Sequence, residues 1–301
     1  MDIRLIKQED IDKTKWNSCV HYAPNGNIFG YKWYLDNVAK DWDGLVEGDY
    51  ESVFPLIHTE KISGWLRKKS TILHQPDLIR TSGLYSIPLP SEKRIRSFLE
   101  AIPSTYQQQD ISLGEGTKAP SHLAYTISER CNYMLLLQEP YDTLAANYSL
   151  SLQQALERAN LSQLLPIATG TQNLKPEKLT DFYLRESTDK KKFKNAKSHA
   201  LLRIMYNALH RGWGFASGVV NRQQELLAVN FFLISHKRIM SLMPVESKAG
   251  AQVGAMAFLF DLLMRTQANK PMLLDFNVRE ESALAQDFGA LKLPYSHLTK
   301  H

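Results

Sequence analysis

Leu226-Leu-Ala-Val-Asn-Phe-Phe-Leu-Ile234 and Arg238-Ile-Met-Ser-Leu-Met-Pro-Val245 are two apolar runs broken by Ser235-His-Lys237. Lys248-Ala-Gly-Ala-Gln-Val-Gly-Ala255 follows, then a further apolar run from Met256 to Met264. Apolar and aromatic runs on either side of a short polar break predict two strands joined by a turn. The small residues predict a glycine-containing loop, Met256 to Met264 a helix, and Met272 to Val278 another strand. A helix start without bulky side chains leaves backbone N–H groups open to an anion such as a phosphate. Lys248, Gly250, Gln252 and Gly254 are therefore candidate donor-binding residues. For Gly250 and Gly254 a second reading stands beside the first: they permit close packing of the helix on the sheet.

Working outward, Tyr133 to Leu137 predicts a strand, and Tyr141 to Ala159 has helical spacing through Leu144, Leu152, Ala155, Leu156 and Ala159. Pro176 suits the start of a helix, where its missing N–H does no harm. Another helix carries Leu201, Leu202, Met205 and Leu209 on one side and stops at Gly212. In the first half, Asp2 to Ile6 alternates like a strand and Tyr31 to Ala39 reads as a helix. Trp42 to Glu47 and Ser52 to Thr59 read as a hairpin around Gly48-Asp49. Thr71 to His74, Gln109 to Leu113 and His122 to Ile127 read as strands. Ser91 caps a predicted helix over Glu92 to Ile102. The second half repeats the plan of the first, which predicts two α+β domains, 1–125 and 126–301.

With 301 residues, 44% hydrophobic and 22% charged, the composition is that of a globular protein. The charged start, MDIRLIKQEDIDK, and the lack of a long apolar run favour a cytoplasmic protein without a membrane span. Cys19 and Cys131, the only cysteines, are expected as two free buried thiols, with one disulfide as the other reading. No metal motif is present, and the nine histidines form no spaced ligand set. The net charge of +5 favours anionic ligands without demanding nucleic acid. Lys190, Lys191, Lys192, Lys194 and Lys197 crowd one segment, readable as a solvated helix face or as a groove for tRNA. Trp16, Tyr22, Tyr31, Trp33, Tyr34, Trp42 and Tyr50 gather early, as aromatic core anchors or as the lining of a cleft.

Three patches carry a family resemblance. Arg130-Cys-Asn-Tyr-Met-Leu-Leu-Leu-Gln-Glu-Pro-Tyr-Asp-Thr-Leu144 with Tyr148 to Ala159 resembles the opening of the second domain of FemAB-like proteins, which are built from tandem acetyltransferase (GNAT) folds. Leu274-Asp-Phe-Asn277, Ala285 to Ala290 and Pro294-Tyr295 are similar to the family's closing strand, helix and strand. Gln75-Pro-Asp with Gly83-Leu-Tyr-Ser is a shorter match in the first domain. The resemblance implies mixed sheets flanked by helices. It also implies an N-acyl or aminoacyl transferase, with acyl-CoA or aminoacyl-tRNA as donor and an amine on a cell-envelope precursor or other small molecule as acceptor. Leu152, Gln153 and Gln154 stand where family members carry basic residues, and the glycine loop only approximates the GNAT pattern. These departures motivate the other reading, a non-catalytic binding or scaffold protein.

Acyl transfer to an amine needs a deprotonated nitrogen, a carbonyl held within reach and donors for the developing oxyanion. An activated donor supplies its own leaving group, so no enzyme nucleophile is required. Asp275, Glu246 and Tyr295 are the candidate catalytic groups, and Asn230, Ser247 and Arg279 the candidate substrate-binding ones. Each has a structural counterpart: an ion pair between Asp275 and a partner such as Arg279, a turn or cap at Glu246-Ser247, a satisfied amide at Asn230, a core phenol at Tyr295.

Overall fold

Helices and strands of a computed structural model are described here for residues 1–63, 68–168, 170, 174–186 and 196–301. The chain divides into two compact units, Met1–Asn132 with Leu293–His301, and Tyr133–Lys292. The division falls at Asn132/Tyr133 where the sequence suggested 125/126, and the closing segment belongs to the first unit.

In the first unit the elements are β1 (Ile3–Lys7), α1 (Lys13–Tyr22), α2 (Lys32–Val38), β2 (Asp41–Glu47), β3 (Ser52–Ser63), β4 (Lys68–Leu73), β5 (Tyr85–Ser86), α3 (Glu92–Glu100) and β6 (Tyr106–Ser112). Strand β7 (Thr126–Leu136) begins there and passes into the second unit. The second unit continues with α4 (Tyr141–Ala145), α5 (Leu150–Leu161), β8 (Leu165–Ala168), α6 (Pro176–Glu186), α7 (Ala196–Arg211), β9 (Gly214–Val220) and β10 (Leu226–Ser235). After these come β11 (Arg238–Ser241), β12 (Val245–Glu246), α8 (Lys248–Val253), α9 (Ala255–Gln267), β13 (Leu273–Asp275) and α10 (Ala283–Asp287). The last strand is β14 (Leu291–Lys300).

Both units follow one plan. The first orders its strands β1-β2-β3-β4-β6-β14, antiparallel except where β4 runs parallel to β6. The second orders them β8-β9-β10-β11-β13-β7, antiparallel except where β11 runs parallel to β13. A parallel pair cannot be closed by a tight turn and needs a crossover. α3 lies in the first crossover and α8 with α9 in the second. The sixth position of each sheet shows an exchange: β14, last in sequence, pairs with β6, while β7 pairs with β13.

The helical spacing Ile95, Phe98, Leu99, Ile102 puts one face of α3 on Leu45 and Phe54, with the Phe54 and Phe98 rings edge-on at 6.4 Å. Ser91 caps it, its Oγ accepting from Arg94 N at 3.2 Å. The early aromatics are core: of the seven, only Tyr22 is exposed, and the Trp16 and Trp42 rings meet edge-on at 5.1 Å. Cys19 and Cys131 are buried and unbonded to each other, and burial pushes the Cys19 thiol up to about 12, far from a reactive thiolate.

Five local expectations change. Tyr141 to Ala159 is two helices, α4 and α5, parted at residues 146–149. Arg238 to Val245 is not one strand: residues 242–244 interrupt it between β11 and β12. Met272 to Val278 keeps only three strand residues, because Asn277 turns the backbone left-handed at φ 55°. The 248–255 stretch is helical rather than a loop, with left-handed Gly254 (φ 74°) as the joint between α8 and α9. His122 to Ile127 is strand only from Thr126.

Candidate active site in the second unit

The carboxyl ends of parallel β11 and β13 are where the second unit concentrates buried polar side chains. Their pairing ends at Met240 and Asp275. Asn230, fully buried on β10, donates from Nδ2 to Ser241 Oγ at 2.9 Å and accepts from Met243 N at 3.2 Å. It thereby holds the chain where β11 breaks, satisfying an N–H that has left the ladder. Asn277 donates from Nδ2 to Ser241 O at 2.9 Å, and its own N–H goes to Asp275 Oδ1 at 2.8 Å. Asp275 is 1% exposed, and its Oδ2 lies 3.6 Å from Arg238 Nη1. The buried carboxyl group thus has a cation beside it, supplied by β11. Asn230, Ser241, Asn277, Asp275 and Arg238 form one connected network across three strands.

Asn230→Ala should cost about 1–3 kcal/mol, because it strands the Met243 N–H in the interior. A lowered denaturant midpoint at unchanged m-value is the expected readout. An unchanged midpoint would mean that the strand break closes without the amide.

Glu246 sits on β12 opposite Ala228 of β10. Its Oε2 accepts from Met256 N, in the first turn of α9, at 3.2 Å. Burial raises its pKa above the ordinary carboxylate value, partly offset by that N–H. Ser247 is the N-cap of α8, its Oγ accepting from Gly250 N at 3.0 Å. Lys248 and Gln252 are exposed on α8. Arg279 is half-buried, and its charge, after burial itself, lowers the pKa of Lys197 at the start of α7. Lys190, Lys191, Lys192 and Lys194 lie outside the described residues. Tyr295 is buried on the part of β14 that belongs to the first unit. The second unit therefore gathers Asn230, Asp275, Glu246 and Ser247 around the β11–β13 crossover, and Tyr295 is not among its residues.

No known protein-family model matches the sequence, and no curated protein sequence does. Solved structures do. FemX superposes with a TM-score of 0.65 at 8% identity, over 98% of this chain and 97% of that one. The C-terminal domain of a lysylphosphatidylglycerol synthetase (so named putatively) from Agrobacterium fabrum gives 0.56 at 10% identity, over 96% and 92%. A tandem GNAT protein from the clavulanic acid biosynthesis pathway gives 0.50 at 12%, over 99% and 97%. The fold is the tandem GNAT fold of FemAB-like proteins. Each unit with its single parallel pair, among the described residues, is one GNAT-like half.

A GNAT fold raises acyl-CoA as donor, and the glycines test the fit. A Cβ on Gly250 would stand 2.4 Å from Leu227 O, and one on Gly254 2.4 Å from Ala155 O. Both glycines face protein backbone, as close packing requires. The N–H groups of Gly250, Ala251 and Gly254 all donate within the α8 region, to Ser247 Oγ, Ser247 O and Ala251 O. At α9, the N-terminus that would attract a phosphate holds the Glu246 carboxylate. This stretch does not fit a diphosphate cradle. Among the described residues no three of His, Cys, Asp and Glu are placed to hold a metal ion, and no helix is long and apolar enough to cross a membrane.

Sequence reasoning missed Arg238, Ser241 and Asn277 as site residues. Asp275-Phe-Asn277 has the spacing of an Asx-type turn, a readable signal. Arg238 meets Asp275, and Ser241 meets Asn277, through the parallel β11–β13 pairing, which no local spacing announces.

Proposed function

We propose that the protein transfers an activated acyl or aminoacyl group to an amine, with Glu246 accepting the proton that the amine loses. The amine nitrogen attacks the carbonyl carbon, the new C–N bond forms, and the bond to the donor's oxygen or sulfur breaks. The leaving group departs with a proton, returning the balance. The observation that carries this reading is the half-buried Glu246 carboxylate, shifted toward neutral pH at the crossover of a GNAT-like unit. Asp275, with Arg238 and Asn277 on its two oxygens, serves in this reading to hold the ends of β13 and β11.

The filled N-terminus of α9 favours an aminoacyl ester on tRNA over acyl-CoA as donor. Such a donor fits a cytoplasmic reaction. The resemblance seen in the sequence suggests an amine on a cell-envelope precursor as acceptor. The second reading, a binding or scaffold protein that has lost the reaction, is favoured by one observation: Asp275 and Asn230 are fully engaged by the protein itself.

Two measurements separate these readings. Charged tRNA should be retained on immobilised protein. Acyl-CoA should give no thermal shift, whereas a ligand at a hundred times its dissociation constant would add about 2.7 kcal/mol. A CoA-dependent shift would overturn the donor assignment, and neither signal would support the scaffold.

A further inference from the structure

In the first unit, His297 of β14 is 6% exposed and pairs in register with Ser112 of β6. Arg130 of β7 reaches both of them. Its Nη2 lies 3.1 Å from His297 Nε2, and its Nη1 donates to Ser112 Oγ at 3.2 Å. A guanidinium has donors only, so the Nε2 that meets it must present a lone pair. The proton of His297 therefore belongs on Nδ1, which faces Ser112 Oγ at 3.1 Å and Asp110 Oδ1, also on β6, at 3.6 Å. Asp110 acts on His74 as well, and His74 in turn feels His58. Arg130 from β7 and Asp110 from β6 are charged groups that face His297.

We infer that His297 and Arg130 form a protonation-controlled latch, closed while the imidazole is neutral and opened when Nε2 takes a proton. An imidazolium would put an N–H and a positive charge against the guanidinium at 3.1 Å, and neither could accept from the other. The contact is present above the histidine range and lost as pH falls through it. Arg130 stands on β7, which pairs with β14 and continues beyond Asn132 into the second unit, so its release would loosen the Thr126–Asn132 part of that strand without parting its ladder. Asp110 Oδ1 is buried and lies 3.6 Å from His297 Nδ1, beyond hydrogen-bond reach, so it only partly compensates a charge on His297.

The test uses the full chain labelled with ¹⁵N-histidine, the His297 signals being assigned by their loss in His297→Gln. The expected spectrum above pH 7.5 shows His297 protonated on Nδ1, the minor tautomer of free histidine. Arg130→Gln should raise the midpoint of the His297 titration by at least about one pH unit, a tenfold easier protonation, since one unit is about 1.4 kcal/mol of differential interaction. Amide exchange in Thr126–Asn132, corrected for intrinsic rates, should speed up as the wild-type midpoint is crossed. Nε2 protonation at neutral pH, a midpoint unmoved by Arg130→Gln, or exchange that ignores the midpoint would each overturn the latch. The tautomer and exchange readouts need only the parent protein, so they decide the matter even if Arg130→Gln does not fold.

Discussion

Glu246→Gln is expected to lower acyl transfer by about 10²–10⁴-fold, the usual contribution of a positioned general base. The amide keeps an oxygen for Met256 N, so the cap on α9 survives and the loss should appear in turnover rather than in folding. The pH profile gives the sharper reading. Burial holds the Glu246 pKa above the ordinary carboxylate value, so in the parent the rate should rise with pH as Glu246 ionises, and this acid limb should vanish in the variant. The linked stability runs the opposite way. A carboxyl whose folded pKa is raised binds its proton more tightly in the native state, so its contribution is fullest below the unfolded value and is lost as pH rises through the folded one. Glu246→Gln should therefore be at least as stable as the parent at neutral pH. Parent-like turnover with an unchanged acid limb would take Glu246 out of the chemistry.

Gly254→Ala should be the most destabilising single methyl in the second unit. At φ 74° the residue is left-handed, which costs an L-residue about 1–2 kcal/mol. The added Cβ would also stand 2.4 Å from Ala155 O of α5, a backbone atom that cannot rotate away. Overpacking of that kind costs typically about 1–3 kcal/mol more. Because α9 begins at this joint, relief would have to come from moving α9 off α5, and with it the Met256 N–H from Glu246. Equilibrium denaturation should show the loss as a lower midpoint, with weaker transfer wherever the fold persists. A variant as stable as the parent would mean that the α8–α9 joint is far looser than its geometry.

Much of this architecture is legible in the chain. The α3 face, the hairpin between β2 and β3, Pro176 opening α6 and Gly212 ending α7 are all written in local spacing, because each depends on residues within a turn or two of one another. What resists reading is non-local. Nothing in the letters of Leu291–Lys300 says that the strand pairs with β6 rather than with a strand from the adjoining second half of the sequence, since any apolar strand would satisfy the same alternation. The small residues of 248–255 invited a loop, but Ser247 caps a helix there, and the glycines answer to Leu227 and Ala155, carbonyl partners distant in sequence. At the site, Asn230 and Asp275 stand out as polar residues inside apolar runs. Their partners Ser241 and Arg238 do not, because a serine or an arginine at the end of a strand is ordinary.

The exchange of β14 sets a timetable for synthesis. Residues 293–301 leave the ribosome only after the whole of Tyr133–Lys292, so the first unit emerges first yet cannot complete its sheet until last. During that interval the free edge of β6 is a template for any passing strand, and the nascent first half is the stage at which a chaperone would matter most.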